Sequence, residues 1–267
     1  MINLWHDATA QDCRSALALR AYSSRLIGSD RALVLYGGGN TSLKQDGVLH
    51  VKATGADLAA VSEEHFTALD LAALRALFQD GQMPDAELMR RIDTCKLDPA
   101  APRPSIETQL HATLPGAYVE HAHADAVLAV VNVADADAAC AAAFGDLAPV
   151  VPYRHSGAEL ARACKQVYEH AASTHTIGLI LAFHGVVAFG NSARESYDNL
   201  RHLVTLAENY LQQHGAQPLA IQPAKAELAD NTLVTSLRNA VSACAGFPLA
   251  THVVCTRETL AYARRAD

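Results

Sequence analysis

The sequence has no excess of positive charge, no long uninterrupted apolar run and no closely spaced cysteine pair. Each absence closes off a class of function. Lys and Arg number 21 against 28 Asp and Glu, a formal charge of -7. Nucleic acid and anionic membrane surfaces select basic faces, so neither partner is expected, although a local basic pocket for a small anion stays open. No stretch approaches the ~18 apolar residues that a membrane helix needs. The apolar segment from Tyr118 to Val133 is interrupted by Glu120, His121, His123 and Asp125. The opening residues, MINLWHDATAQD, lack the basic-then-apolar layout of a secretory leader, and the chain reads as soluble and cytoplasmic. Cys13, Cys95, Cys140, Cys164, Cys244 and Cys255 are scattered without a CxxC, the pattern of buried small hydrophobes rather than of a disulfide framework. The glycosylation triplet Asn40-Thr41-Ser42 is then expected to be silent. There is no internal repeat, no GxGxxG and no Walker spacing.

What is present is an ordinary globular composition: 267 residues, 50% apolar and 18% charged, enough for one large domain with a small appendage. Apolar spacing predicts an amphipathic helix from Ala8 to Leu26. Arg31 to Tyr36 reads as a strand entering the Gly37-Gly38-Gly39 loop, and Val48 to Ala53 as its hairpin partner across Gln45-Asp46-Gly47. Helices are expected over Leu69 to Phe78, from an N-cap at Ser105 through Leu114, over Ala126 to Val133, Ala158 to Ala172, and Ala193 to His214. Ser192 would cap the last of these and Gly215 would stop it. Ala117 to His123, Ile177 to Phe183 and Val186 to Phe189 read as strands. Gln79 to Arg103, with three prolines, reads as a loop holding one short helix. This alternation implies a layered α/β/α domain over residues 1–214. Residues 215–267 would form a connector and a small helix–strand–helix appendage.

The chemistry concentrates at Glu120-His121-Ala122-His123. On a strand, residues two apart share a face, so His121 and His123 project together. His184 stands between the apolar GLILAF and Gly185, where a bend would present it at a strand end. Three imidazoles can hold a divalent ion and leave a position open for substrate. Ser105 at a helix start suits a small anion. Glu107 in the first turn either compensates the helix dipole or moves a proton beside a metal-bound substrate. His111 shares its helical face and is read as packing behind the carboxylate rather than orienting it. Asn40, Thr54, Gly55 and Ser105 offer amides and hydroxyls for a phosphate; spacing alone does not establish that they converge.

GGGNTS, ATG, PSIE, HAH and FHG, in this order and at these intervals, resemble the class II aldolase/adducin family from about Ala8 to Gln213. The similarity is greatest to the aldolase part of two-part proteins that join a rhamnulose-phosphate-type aldolase to a short-chain dehydrogenase. Leu233 to Arg265 is similar to the stretch that follows that part. The resemblance implies a three-layer α/β/α fold around a mixed, largely antiparallel sheet, and a homotetramer with sites near subunit boundaries. It implies a divalent ion, usually Zn²⁺, on His121, His123 and His184, with Glu107 as the acid/base. Asn40, Thr54, Gly55 and Ser105 would hold the phosphate of a small sugar phosphate. The implied reaction makes or breaks a carbon–carbon bond through a metal-stabilised enediolate. Decarboxylation or epimerisation on the same platform, and a non-catalytic adducin-like module, are the alternatives. Ile106 stands where fuculose-phosphate-type aldolases carry a second Ser, which removes one phosphate hydroxyl. The family's tyrosine from a neighbouring subunit is not placed by the sequence: Tyr197 and Tyr210 both fall in a helix and read as structural.

Overall fold

The computed structural model describes residues 2–77, 83–217 and 231–251. Contacts divide the chain into two units, 1–216 and 217–267. In the first, seven strands form one sheet in the order β3-β2-β1-β4-β7-β6-β5. They are β1 (Asn40–Gln45), β2 (Val48–Lys52), β3 (Phe66–Asp70), β4 (Tyr118–Ala122), β5 (Val150–Val151), β6 (Gly178–Leu181) and β7 (Gly185–Gly190). Every neighbouring pair is antiparallel except β5–β6. The sheet is thus mixed and largely antiparallel.

Helices cover both faces. On one lie α2 (Ala16–Gly28), α6 (Asp125–Val131), α7 (Ala136–Phe144) and α9 (Ala193–Gln213), sharing a core with Ala122, Ile180 and Ala188 of the sheet. On the other lie α3 (Leu71–Ala76), α4 (Asp85–Thr94), α5 (Thr108–Thr113) and α8 (Ala158–Ala171), packed on Leu49, Val51, Val119 and Val187. A further short helix, α1 (Asp7–Gln11), precedes α2. Ser192 caps α9 by accepting from Glu195 N at 3.1 Å, and Gly215 follows the helix with φ +70°. None of the described helices is long and apolar enough to cross a membrane.

Four local expectations are corrected. The first helix is broken at Asp12–Ser15, where the Ser15 hydroxyl accepts from Ala18 N at 2.9 Å and starts α2 afresh. Arg31 to Tyr36 is not a strand. Asp30 turns the chain there, its carboxylate accepting from Ala32 N and its carbonyl from Leu33 N, so Leu33 and Val34 enter the core from a turn. The sheet position that this run was expected to fill is taken by Asn40–Gln45. Leu69 and Asp70 end strand β3, and α3 begins only at Leu71 with Asp70 as its cap; Phe78 lies outside the described residues. Finally, α5 starts at Thr108 with Glu107, not Ser105, at its N-cap. Cys95, Cys140 and Cys164 are buried as expected, whereas Cys13 is half-buried and Cys244 exposed; Cys255 lies outside the described residues.

In the second unit α10 (Asn231–Ala245) is described; the expected strand and second helix fall in 252–267, outside the described residues.

Alternation along β4 divides its side chains between the layers. Glu120 faces α2 and α9, where its Oε1 accepts from Arg20 Nη1 at 2.7 Å and from Ser196 Oγ at 2.8 Å. Both members of this ion pair are fully buried. Removing one partner strands a charge in the core, at a cost of about 3–5 kcal/mol. Arg20→Met is therefore expected to lose about that much in urea unfolding at pH 7, and adding Glu120→Gln should recover a large part of it. A loss below about 1 kcal/mol for the single variant would show that the pair does not act as a buried charge pair.

Candidate metal centre

The opposite face of β4 carries His121, and it is on this side that the polar groups gather. His121 and His123, two apart at the end of β4, bring their Nε2 atoms to 3.1 Å. His184 comes from the tight connection between β6 and β7, where Phe183 adopts φ +56° and His184 N donates to Leu181 O at 3.0 Å. Because β7 pairs with β4, with Ala122 opposite Val186, this connection sits beside His123. The three ring centroids are 4.8, 4.9 and 5.1 Å apart, and one nitrogen from each ring falls within 4.8 Å of the others.

Backbone shape permits this approach at two glycines. Gly185 has φ +156°, and a Cβ there would stand 2.4 Å from Ala122 O. Gly39 has φ +64°, and a Cβ would meet Val34 Cγ1 at 2.6 Å and His121 O at 2.8 Å. Any side chain at either place would push the loop off the histidines.

The donor chemistry suits a divalent cation. His121 Nδ1 donates to Val186 O at 3.1 Å, which leaves Nε2 as the inward atom that could ligate. Burial, together with the neighbouring imidazoles, lowers His123 and His184 to about 4, which keeps both neutral and able to ligate at pH 7. Three imidazole nitrogens meeting at this range could be bridged by one ion.

Glu107 completes the cluster. Its Oε2 lies 3.4 Å from His121 Nε2 and its Oε1 3.5 Å from His184 Nε2. Burial alone would raise this carboxyl; the charge of His121 and a 2.7 Å hydrogen bond from Asn40 Nδ2 outweigh it, so the group is held below its ordinary value and stays ionised.

The four expected phosphate residues lie along one rim. Asn40 Nδ2 reaches Ser105 Oγ at 3.4 Å, and Thr54 N donates to Arg103 O at 2.9 Å, two residues before Ser105. Gly37 on the glycine loop approaches Gly55. Thr54 and Gly55 are exposed, whereas Asn40 and Ser105 are buried. Ile106 turns away and packs with the core beneath α3 and α4. Tyr197 is buried in the opposite layer, accepting from Leu4 N, and Tyr210 stacks on His214.

Two groups escaped the sequence reading. His111 does more than pack: its Nε2 bonds Asn40 Oδ1 and its Nδ1 lies 2.8 Å from Ser42 Oγ. The loop Tyr153-Arg154-His155-Ser156 lines, with Asp85, Phe183 and His184, a cleft of about 400 Å³ beside the metal-type cluster. The alternation of Asn40 and Ser42 on one strand face was the available signal for the first. Nothing local marked the second.

Comparison with known proteins finds relatives of the whole first unit. The family description "Class II Aldolase and Adducin N-terminal domain" matches residues 19–211. The N-terminal class II aldolase domain of a conserved protein from Thermoplasma acidophilum is 33% identical. It superposes with a TM-score of 0.72, over 79% of this chain and 99% of that one. An uncharacterized oxidoreductase, YuxG of Bacillus subtilis strain 168, is 32% identical over 219 residues, which are 78% of this chain but 31% of that protein. The chain thus spans about a third of that relative's length. An L-fuculose 1-phosphate aldolase shares the fold at a TM-score of 0.51 and 15% identity, over 89% and 98% of the two chains.

His111 supplies a pH test of the metal-free protein. Burial, then His121, lowers it from 6.5 to about 3. The unfolded chain therefore takes up a proton that the folded chain refuses. The stability tied to His111 is complete above pH 6.5 and lost as pH falls through 3. His111→Gln should flatten the fall in unfolding free energy across that window by about 1.4 kcal/mol per pH unit, read from urea curves at stepped pH. Parallel curves for the two proteins would mean that His111 titrates normally.

Proposed function

The chain belongs to the class II aldolase/adducin family, and on that premise we propose that it is a divalent-metal-dependent aldehyde-lyase acting on a small sugar phosphate. The observation that carries the reading is the position of Glu107: an ionised, buried carboxylate against two of three converging imidazoles. A merely structural metal site has no use for a carboxylate placed beside its three imidazole ligands and bonded elsewhere.

In this reading His121, His123 and His184 hold the ion, most simply Zn²⁺. When bound, the cation supplies a Lewis acid that lowers the energy of negative charge on nearby substrate oxygens. The remaining work falls to side chains. Aldol cleavage of a ketose phosphate breaks the bond between C3 and C4; the electron pair stays with the C3 fragment as an enediolate, and C4 leaves as the aldehyde carbonyl. As the bond breaks the C4 hydroxyl gives up its proton. The ionised Glu107 takes it up and delivers it to the enediolate carbon, and synthesis runs the same transfers in reverse. The phosphate lies at the rim of Asn40, Thr54, Gly55 and Ser105, with the hydroxyls of Thr54 and Ser105 and the amide of Gly55 as donors. Burial of Glu107, Asn40 and His121 keeps competing water from the reacting carbon. Assembly as a homotetramer belongs to the same proposal. Tyr36, Tyr153 and Phe183, around the mouth, leave 77%, 49% and 58% of their surface exposed, which a neighbouring subunit would cover.

Metal-loaded protein is expected to release aldehyde from ketose phosphates and to stop on chelation. Glu107→Gln should keep its zinc and lose about 10²–10⁴-fold in turnover, while His123→Ala should lose the zinc itself. Release of CO₂ from oxo-acid phosphates without aldehyde release would replace the aldolase with a decarboxylase on the same ligands. Activity indifferent to chelator would overturn both.

A further inference from the structure

The contacts behind Glu107 fix a hydrogen-bond direction one group at a time. An ionised carboxylate only accepts, so the Asn40 atom 2.7 Å from Oε2 is the NH₂ group. That turns the amide carbonyl toward His111, whose Nε2 must then carry a proton to donate. The Nδ1 of the same ring keeps only its lone pair, so Ser42 Oγ, 2.8 Å away, is the donor there. Four groups are thereby ordered from Ser42 through His111 and Asn40 to Glu107, with no freedom left in the amide or the tautomer. None has solvent to fall back on: Ser42 and His111 are fully buried, and Asn40 and Glu107 nearly so. The elements enforce the row. Asn40 and Ser42 are two apart on β1 and share a face, while His111 follows the helix-capping Glu107 by four residues. Lys44 Nζ, further along β1, donates to the carbonyls of His111 and Leu114 and fixes the end of α5.

We infer that Ser42 and His111 are positioning residues that lock the Asn40 amide with its NH₂ group on Glu107. The lock reserves Oε2 as a hydrogen-bond acceptor and leaves Oε1 as the oxygen that exchanges the substrate proton. An amide turned through half a rotation would aim a carbonyl at a carboxylate, and the acid would lose both its orientation and its partner. An apolar side chain of similar volume fills the space of His111 but cannot be donor at one end and acceptor at the other. The catalytic meaning rests on the reading of Glu107 as the proton-transfer group; the orientation of the amide rests on these contacts alone.

The test uses the full chain and three variants: His111→Leu, His111→Gln and Ser42→Ala. In metal-free protein, the two side-chain amide protons of Asn40 should be widely split in ¹H–¹⁵N spectra of the wild type and His111→Gln. They should collapse toward free-amide values in His111→Leu and Ser42→Ala. In zinc-loaded protein, His111→Leu should lower kcat about tenfold with KM nearly unchanged, the loss of one positioning hydrogen bond, while His111→Gln restores most of it. Zinc content should stay the same throughout. Asn40 protons that ignore both Ser42→Ala and His111→Leu would overturn the inference, as would collapsed amide signals with an unaltered kcat. Should His111→Leu fail to fold, Ser42→Ala decides the spectroscopic and kinetic outcomes alone. A wild type with no lyase activity would sink the aldolase reading, while the amide spectra would still judge the lock.

Discussion

The register of strand β4 is the constraint from which the site follows. It pairs with β1 so that His121 stands opposite Asn40, and with β7 so that His121 stands opposite Val187 and Ala122 opposite Val186. The first pairing brings the Asn40 amide, and through it Glu107 and His111, to the ligand face. The second brings the His184 connection beside His123. Side chains alternate along a strand, so a slip by one residue would exchange the two faces. His121 would then meet Arg20 in the α2–α9 layer, and Glu120 would enter the histidine cluster. The buried Arg20–Glu120 pair penalises that slip, because it has a counter-charge in one register only. Even in the native register one atom of each partner, Arg20 Nη2 and Glu120 Oε2, is buried without a hydrogen bond. The pair costs stability and in return fixes which face carries the imidazoles.

Much of the ligand set was legible because it is written in local spacing. His121 and His123 are two apart in an alternating segment, and His184 precedes a glycine at the end of an apolar run. α8 and α9 were legible for a related reason, being long, periodic and, for α9, capped by Ser192. The short elements were not. RALVLY has strand composition, but Asp30 competes for its amides and turns it, which no count of apolar residues reveals. Leu69 and Asp70 were assigned to a helix because β3 ends where α3 begins, and helical spacing in the latter masked the former.

The partners of Glu107 lay beyond local reading. Asn40 and Glu107 are 67 residues apart, and their hydrogen bond exists only because β1 and the approach to α5 are placed side by side, with Ala53 bridging Pro104. His111 looked like packing because a buried histidine on an apolar helix face commonly is. What changes its meaning is Ser42 and Asn40 across from it, and a polar residue's role depends on whether its partners have directions to impose. The glycine triplet likewise takes its meaning from across the fold: at Gly39 the close approach is by the carbonyl of His121.

The electrostatic balance of the cluster argues that fold and ion belong together. The cluster sets one buried carboxylate among imidazoles, walled by apolar residues of α5, α8 and the sheet. Desolvation of that carboxylate works against folding, and His121 together with the Asn40 hydrogen bond offsets it. A divalent cation among the three rings would act in the same direction: the carboxylate would face positive charge at short range in a medium of low dielectric, where the attraction is several-fold stronger than in water. On the proposed reading, the same buried carboxylate would stand beside the ion as its proton-transfer group. The rim of Thr54, Gly55 and Ser105 bears none of that cost, since it is built from neutral donors. On the proposed reading, variation there would change which substrate is held without disturbing the metal or the acid.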